Sequence, residues 1–181
     1  MTTDPAAESP RGLRFLAELA DLLQADPEAG AAELRELLDR RGGPPFTLTD
    51  ADAAEFRAAA APVVRILELT EPDQAAEAIN HLLDRNPPRP RLVQLPGRPW
   101  ALQNRPPEPA GLTHWLQSTA ALALALWLTE RGRCAWGRCA APGCACHFID
   151  TGRRTPQRYC SPRCATRVRV AAHRDRRTPG S

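Results

Sequence analysis

The sequence predicts a mainly α protein: a helical N-terminal domain with a small β-hairpin, then a C-terminal treble-clef-like zinc finger of knuckle, hairpin and helix. Three observations predict it. Apolar residues recur at helical spacing in five stretches before residue 132. Two short apolar runs flank a Pro-Gly-Arg-Pro turn at 96–99. Four cysteines read Cys139-x4-Cys144-x15-Cys160-x3-Cys164, two close pairs set far enough apart for a hairpin, which is the arithmetic of a structural zinc site.

Taken in order, Leu13, Leu16, Leu19, Leu22 and Leu23 predict a helix over about 11–25. Leu34, Leu37 and Leu38 mark a second, closed by Gly42-Gly43. Thr49 is an N-cap for a third, with Asp50 and Asp52 in its first turn. That helix runs towards Leu69 and is expected to bend or restart at Pro62. Pro72 opens a fourth, ending near Asp84 or Arg85. Leu92–Leu95 and Trp100–Gln103 are read as two strands. A long helix over about 111–131 is apolar nearly all round from Ala120 to Leu128 and is expected to be the central buried helix.

Beyond it lies the cysteine segment. Pro142-Gly143 turns the chain so that Cys139 and Cys144 face one ion. His147–Asp150 is strand-like, 151–156 a turn, and Gln157–Tyr159 returns to Cys160. Ser161-Pro162 starts a helix, which puts Cys160 just before it and Cys164 in its first turn. Cys164, Val168, Ala171 and Ala172 share one face, expected to pack on the hairpin and Phe148; Arg163, Arg167, Arg174 and Arg177 share another. Cys134-x4-Cys139 has the same spacing as the first pair, and Cys146 lies two beyond Cys144. The chosen four are favoured because Cys134 follows the long helix and Cys146 suits the small core or a free thiol. Four thiolates close a tetrahedron, so one structural Zn2+ per chain is expected, with no position for a reacting water.

Charge is unevenly spread. Residues 133–181 hold eleven arginines against Asp150 and Asp175, a balance of +9, whereas residues 1–132 stand at −6. Such asymmetry points to an anionic partner, nucleic acid first. A basic tail folded against the acidic body is the alternative, as is a solvated arginine face. All 24 basic residues are arginine, a bias that weakens any case for arginine chosen over lysine. The N-terminus has no secretory pattern, and the longest apolar run, Ala120–Leu128, is short of the roughly 20 residues that span a bilayer. A cytoplasmic protein without membrane partners is expected. His81 and His114 are read as surface or packed residues. The body offers no catalytic set, so an enzyme is not expected.

The segments Arg138–Cys144, Phe148-x-Asp150, Arg158–Ser161 and Cys164-Ala165-Thr166-Arg167 resemble the CGNR zinc finger. Ala78–Leu83, the Leu92–Gln103 hairpin and the long helix resemble the ABATE domain that precedes this finger in bacterial proteins. The resemblance implies a stress-induced transcription regulator whose finger binds DNA and whose helical domain senses an effector or a protein partner. It implies domains at 1–132 and 133–177, with 178–181 as a disordered tail. The family's Cys-Gly-Asn-Arg signature reads Cys164-Ala165-Thr166-Arg167 here, so the metal ligand and the arginine persist while Gly and Asn are replaced. Leu13–Leu23 stands where the family has an Asp-Phe-x-Asn-Thr-like segment. A zinc-stapled protein-interaction module is the alternative function.

Overall fold

A computed structural model describes residues 12–40, 47–94, 100–105, 111–152 and 155–177, with side chains through Arg174. The expected Gly42-Gly43 stop, the 96–99 turn, Leu95, Arg153-Arg154, the Arg177 side chain and the 178–181 tail lie outside the described residues.

Helix α1, Leu13–Ala25, buries Leu13, Leu16, Leu19 and Ala20. Helix α2, Ala31–Arg40, answers with Leu34, Leu37 and Leu38. Helix α3, Asp50–Glu68, begins in the expected cap. The Thr49 side chain accepts from Asp52 N, and the Asp52 carboxylate accepts from Thr49 N at 2.8 Å. The hydrogen bond from the Thr49 hydroxyl, helped by the one from its backbone, lowers the Asp52 pKa. Phe56, fully buried, sits at the middle of the core.

Helix α3 does not restart at Pro62; it is one helix from Asp50 to Glu68. Proline removes the donor to Ala58, whose residue is exposed and can turn its carbonyl to water. In the same turn the Ala59 carbonyl accepts from Gln117 Nε2 at 3.0 Å, and Asn86 Nδ2 donates to Gln117 Oε1 at 2.8 Å. The carbonyl that proline frees is thus left to water at an exposed residue, and the neighbouring Ala59 carbonyl ties α3 to Gln117 of the long helix that follows.

Helix α4, Pro72–Arg85, and helix α5, Leu112–Arg131, take the expected positions. Helix α5 packs against both α3 and α4. It buries Leu116, Ala120, Ala121, Leu124 and Trp127, together with Ser118, whose hydroxyl donates to His114 O at 2.5 Å. Its end is a left-handed Gly132, φ 63°.

Strands β1, Pro90–Val93, and β2, Ala101–Asn104, pair antiparallel with Leu92 opposite Leu102. The pairing starts two residues earlier than the apolar run alone indicates, with Pro90 at the strand's first position, where its missing N–H is tolerated. Asn104 ties the ribbon to α5, donating to Ser118 Oγ at 2.7 Å and Thr119 Oγ1 at 3.0 Å.

Strands β3, Trp136–Arg138, and β4, His147–Ile149, form a second antiparallel ribbon. Helix α6, Pro162–Arg177, closes the described chain. The return segment 157–159 is not a strand, and the partner of β4 lies before the knuckle instead of after it. The physical reason is burial. Trp136 enters the main helical core, where its indole Nε1 donates to Ile66 O at 3.0 Å, and Ala135 accepts from Trp127 Nε1 at 3.2 Å. The 157–159 stretch offers one backbone bond, from Ala140 N to Arg158 O.

Among the described residues no helix is long and apolar enough to cross a membrane.

Candidate metal centre

The site is assembled from a knuckle and a helix start. Cys139 leaves β3, and its backbone N–H donates to Cys146 O at 2.9 Å. Gly143, at φ 70°, makes the left-handed turn that brings Cys144 back beside it. Ser161 caps α6: its hydroxyl accepts from Cys164 N at 3.3 Å, and its carbonyl accepts from Ala165 N at 3.2 Å. Cys160 thus stands just before the helix and Cys164 in its first turn, as the Ser-Pro signal predicts.

The sulfurs of Cys139, Cys144, Cys160 and Cys164 all lie within 4.8 Å of one another. Cys144 Sγ to Cys160 Sγ and Cys160 Sγ to Cys164 Sγ are both 3.7 Å. Four thiolates at about 2.3 Å from one tetrahedral Zn2+ would be about 3.8 Å apart. The cluster is therefore fit to hold one metal ion, and its donor set suits zinc. Among the described residues it is the one such group.

The electrostatics agree. The Cys144 thiol is lowered to about 7, first by the hydrogen bond from the Cys146 backbone and helped by neighbouring sulfurs. Cys160 is pushed up by burial and by hydrogen bonds to the sulfurs of Cys144 and Cys164. Crowded thiols cannot all ionise unless a cation sits among them. The two remaining cysteines stand apart. Cys134 packs on the main core, and burial raises its pKa. Cys146 is exposed, its pKa raised first by its hydrogen bond with Cys144.

The core around the cluster is small: Cys139, Ala141 and Cys164, with Tyr159 and Val168 against them. The expected apolar stripe of α6 is buried only through Val168. Ala171 and Ala172 are exposed, and Phe148 is not part of this core. The ribbon carrying Phe148 lies on α1 and α3, so it does not lie beneath the length of α6.

Of the arginines expected on the outer face, Arg163, Arg167 and Arg174 are exposed. Arg167 also has a structural partner: its Nη2 donates to Pro142 O at 3.0 Å and lies 4.0 Å from Cys164 Sγ. It braces the knuckle against the helix.

Two features escape sequence reading. Asp150 is 1% exposed and accepts from Arg133 Nη2 at 2.5 Å, Gly152 N at 2.8 Å and Gln157 N at 3.0 Å. Burial opposes its charge, but these hydrogen bonds outweigh it, and its pKa is lowered. Asp150-Thr-Gly152 is an Asx-turn pattern, a signal that could have found it. His147 is buried at 5% exposure, and Asp21 Oδ1 accepts from its backbone N–H at 2.6 Å and from its Nδ1 at 2.8 Å. No local signal announces a partner 126 residues away.

A knuckle, a ribbon and a capped helix around four convergent thiols define a metal-binding finger. Residues 136–177 match the CGNR zinc finger family. The ABATE domain that the body resembles is not detected. No curated protein matches the chain.

Proposed function

We propose that the protein is a zinc-stabilised DNA-binding transcription regulator that reads duplex DNA through α6. The observation that carries this reading is a helix anchored at its first turn by the cysteine cluster and exposed from Arg169 through Arg174. Its outer face bears Arg163, Arg167 and Arg174, and the sequence adds Arg177 at the same helical spacing, within a segment whose arginines outnumber its acids by nine. A rigid base and a protruding cationic helix suit a groove lined by phosphates. The zinc is structural, because four thiolates leave it no open position, and the role is binding, not catalysis.

A second reading has its own support. Arg138 of β3 pairs with Glu68 at 3.6 Å, and His147 of β4 contacts Asp21, so the finger's ribbon already docks on the acidic body. A protein-interaction finger would extend such pairing to a partner. These contacts use ribbon residues and leave Arg163 of α6 exposed, which favours nucleic acid.

The test is fluorescence anisotropy of labelled mixed-sequence duplex with zinc-loaded protein at several salt concentrations. Binding that weakens steeply with salt is expected, with Arg163→Ala flattening the log–log slope by about one unit. No binding to any duplex at low salt, alongside stoichiometric recovery of an acidic protein, would favour the second reading.

A further inference from the structure

The helical body is acidic as a whole, yet one part of it is strongly cationic. Residues 85–105 hold five arginines and no acid, while the rest of residues 1–132 hold eight arginines against nineteen acids. That segment contains the β1–β2 ribbon. Its ladder extends one rung past the Pro90–Asn104 pair, since Arg105 N–H donates to Arg89 O at 2.9 Å. Arg89 therefore stands opposite Arg105, on the face that Arg91 shares with Gln103.

Residues directly opposite in a ribbon lie about 5 Å apart at Cβ, and diagonal ones about 7–8 Å. Arg91 is diagonal to Arg105, so three arginines crowd one short face. All three are exposed, and none has an ion-pair partner among the described residues. Like charges set opposite each other destabilise a ribbon, and an anion laid across them relieves that cost. The other face is different. Leu92 and Leu102 pair there, 69% and 43% exposed, on the side from which Asn104 reaches Ser118 and Thr119 of α5.

This division of faces selects the partner. A bilayer is met by apolar and cationic side chains together, and a protein interface by an apolar centre. Here the cations stand apart from the large apolar side chains. An open row of arginines suits an extended polyanion instead. We infer that the face bearing Arg89, Arg91 and Arg105 is a second contact for duplex DNA, made by the helical body to the phosphate backbone. That contact presupposes the DNA-binding reading of α6. It is separate from the finger in space. The β1–β2 ribbon is tied to α5 at Ser118 and the finger at Arg131, whose guanidinium donates to Asp150 O at 3.0 Å. Those two points lie roughly 20 Å apart along the helix.

Anisotropy of a labelled mixed-sequence duplex with the zinc-loaded full chain, across a salt series, tests it. Arg91→Ala and Arg105→Ala are each expected to flatten the log–log slope by about one unit. Arg91→Lys should keep the parent slope, because the charge is what releases a counterion. Arg40→Ala, on α2, should leave it unchanged. The loss should add to that of Arg163→Ala, since the two contacts are far apart. If Arg163→Ala flattens the slope and the ribbon variants do not, the ribbon contact is overturned while that of α6 stands. If the parent binds no duplex at low salt, both fall. Ribbon variants that lose binding to phosphatidylserine vesicles but keep the parent DNA slope overturn it in favour of a membrane surface.

Discussion

Asp150 organises the loop that returns the chain to Cys160. Its carboxylate holds two backbone N–H groups and the Arg133 guanidinium at once. Asp150→Asn keeps the shape but removes the charge and turns one acceptor into a donor. A loss of about 2 kcal/mol is expected in urea unfolding of zinc-loaded protein at pH 7, as for charge-assisted hydrogen bonds lost from a buried carboxylate whose arginine partner is partly exposed. Its pKa is lowered in the folded state, so the stabilisation is present above the unfolded value of about 4 and fades as pH falls through the folded one. Gly152 shares this constraint: a Cβ there would meet Thr155 O at 2.9 Å and Asp150 Oδ1 at 3.0 Å. Arg167 supports the Pro142 carbonyl while remaining exposed. Arg167→Ala is expected to cost the finger about 1–2 kcal/mol, read as easier zinc loss to a competing chelator, in addition to any effect on DNA.

At the scale of elements, local signals and burial divide the outcome. Thr49, Pro72, Gly132 and Ser161-Pro162 mark helix ends through chemistry confined to one turn, so those ends are legible in sequence. At Pro62 no restart occurs, because the carbonyl it frees belongs to Ala58, an exposed residue, and that exposure is set by packing that the local sequence does not show. The β4 partner misleads for the same reason: Trp136 is drawn into the body's core, and no spacing within the finger reports that. Trp136→Ala should therefore damage the body as well as the finger, costing about 3–5 kcal/mol in denaturant unfolding. A loss below about 1 kcal/mol would contradict the shared core.

Across the whole molecule, the cysteine spacing anticipates the four-sulfur cluster because its members lie within 26 residues of one another. The His147–Asp21 contact joins residues 126 positions apart and leaves no local pattern. Two cores of unequal size share the β3–β4 ribbon as their link. The larger includes Trp127 and Trp136, whereas the smaller rests on the cysteines themselves. Metal removal should then melt the knuckle and α6 while the helical body persists. Circular dichroism would lose a portion equivalent to α6, and the tryptophan emission of the buried core would hold.

The finger's fold depends on four particular sulfurs holding one ion. Elemental analysis of freshly purified, reduced full chain, beside its Cys134→Ala, Cys146→Ala and Cys160→Ala variants, tests that most directly. One zinc per chain is expected in the parent and in the Cys134 and Cys146 variants, with loss in the Cys160 variant. No metal in the parent, or zinc that survives Cys160→Ala but leaves with Cys134 or Cys146, would contradict it.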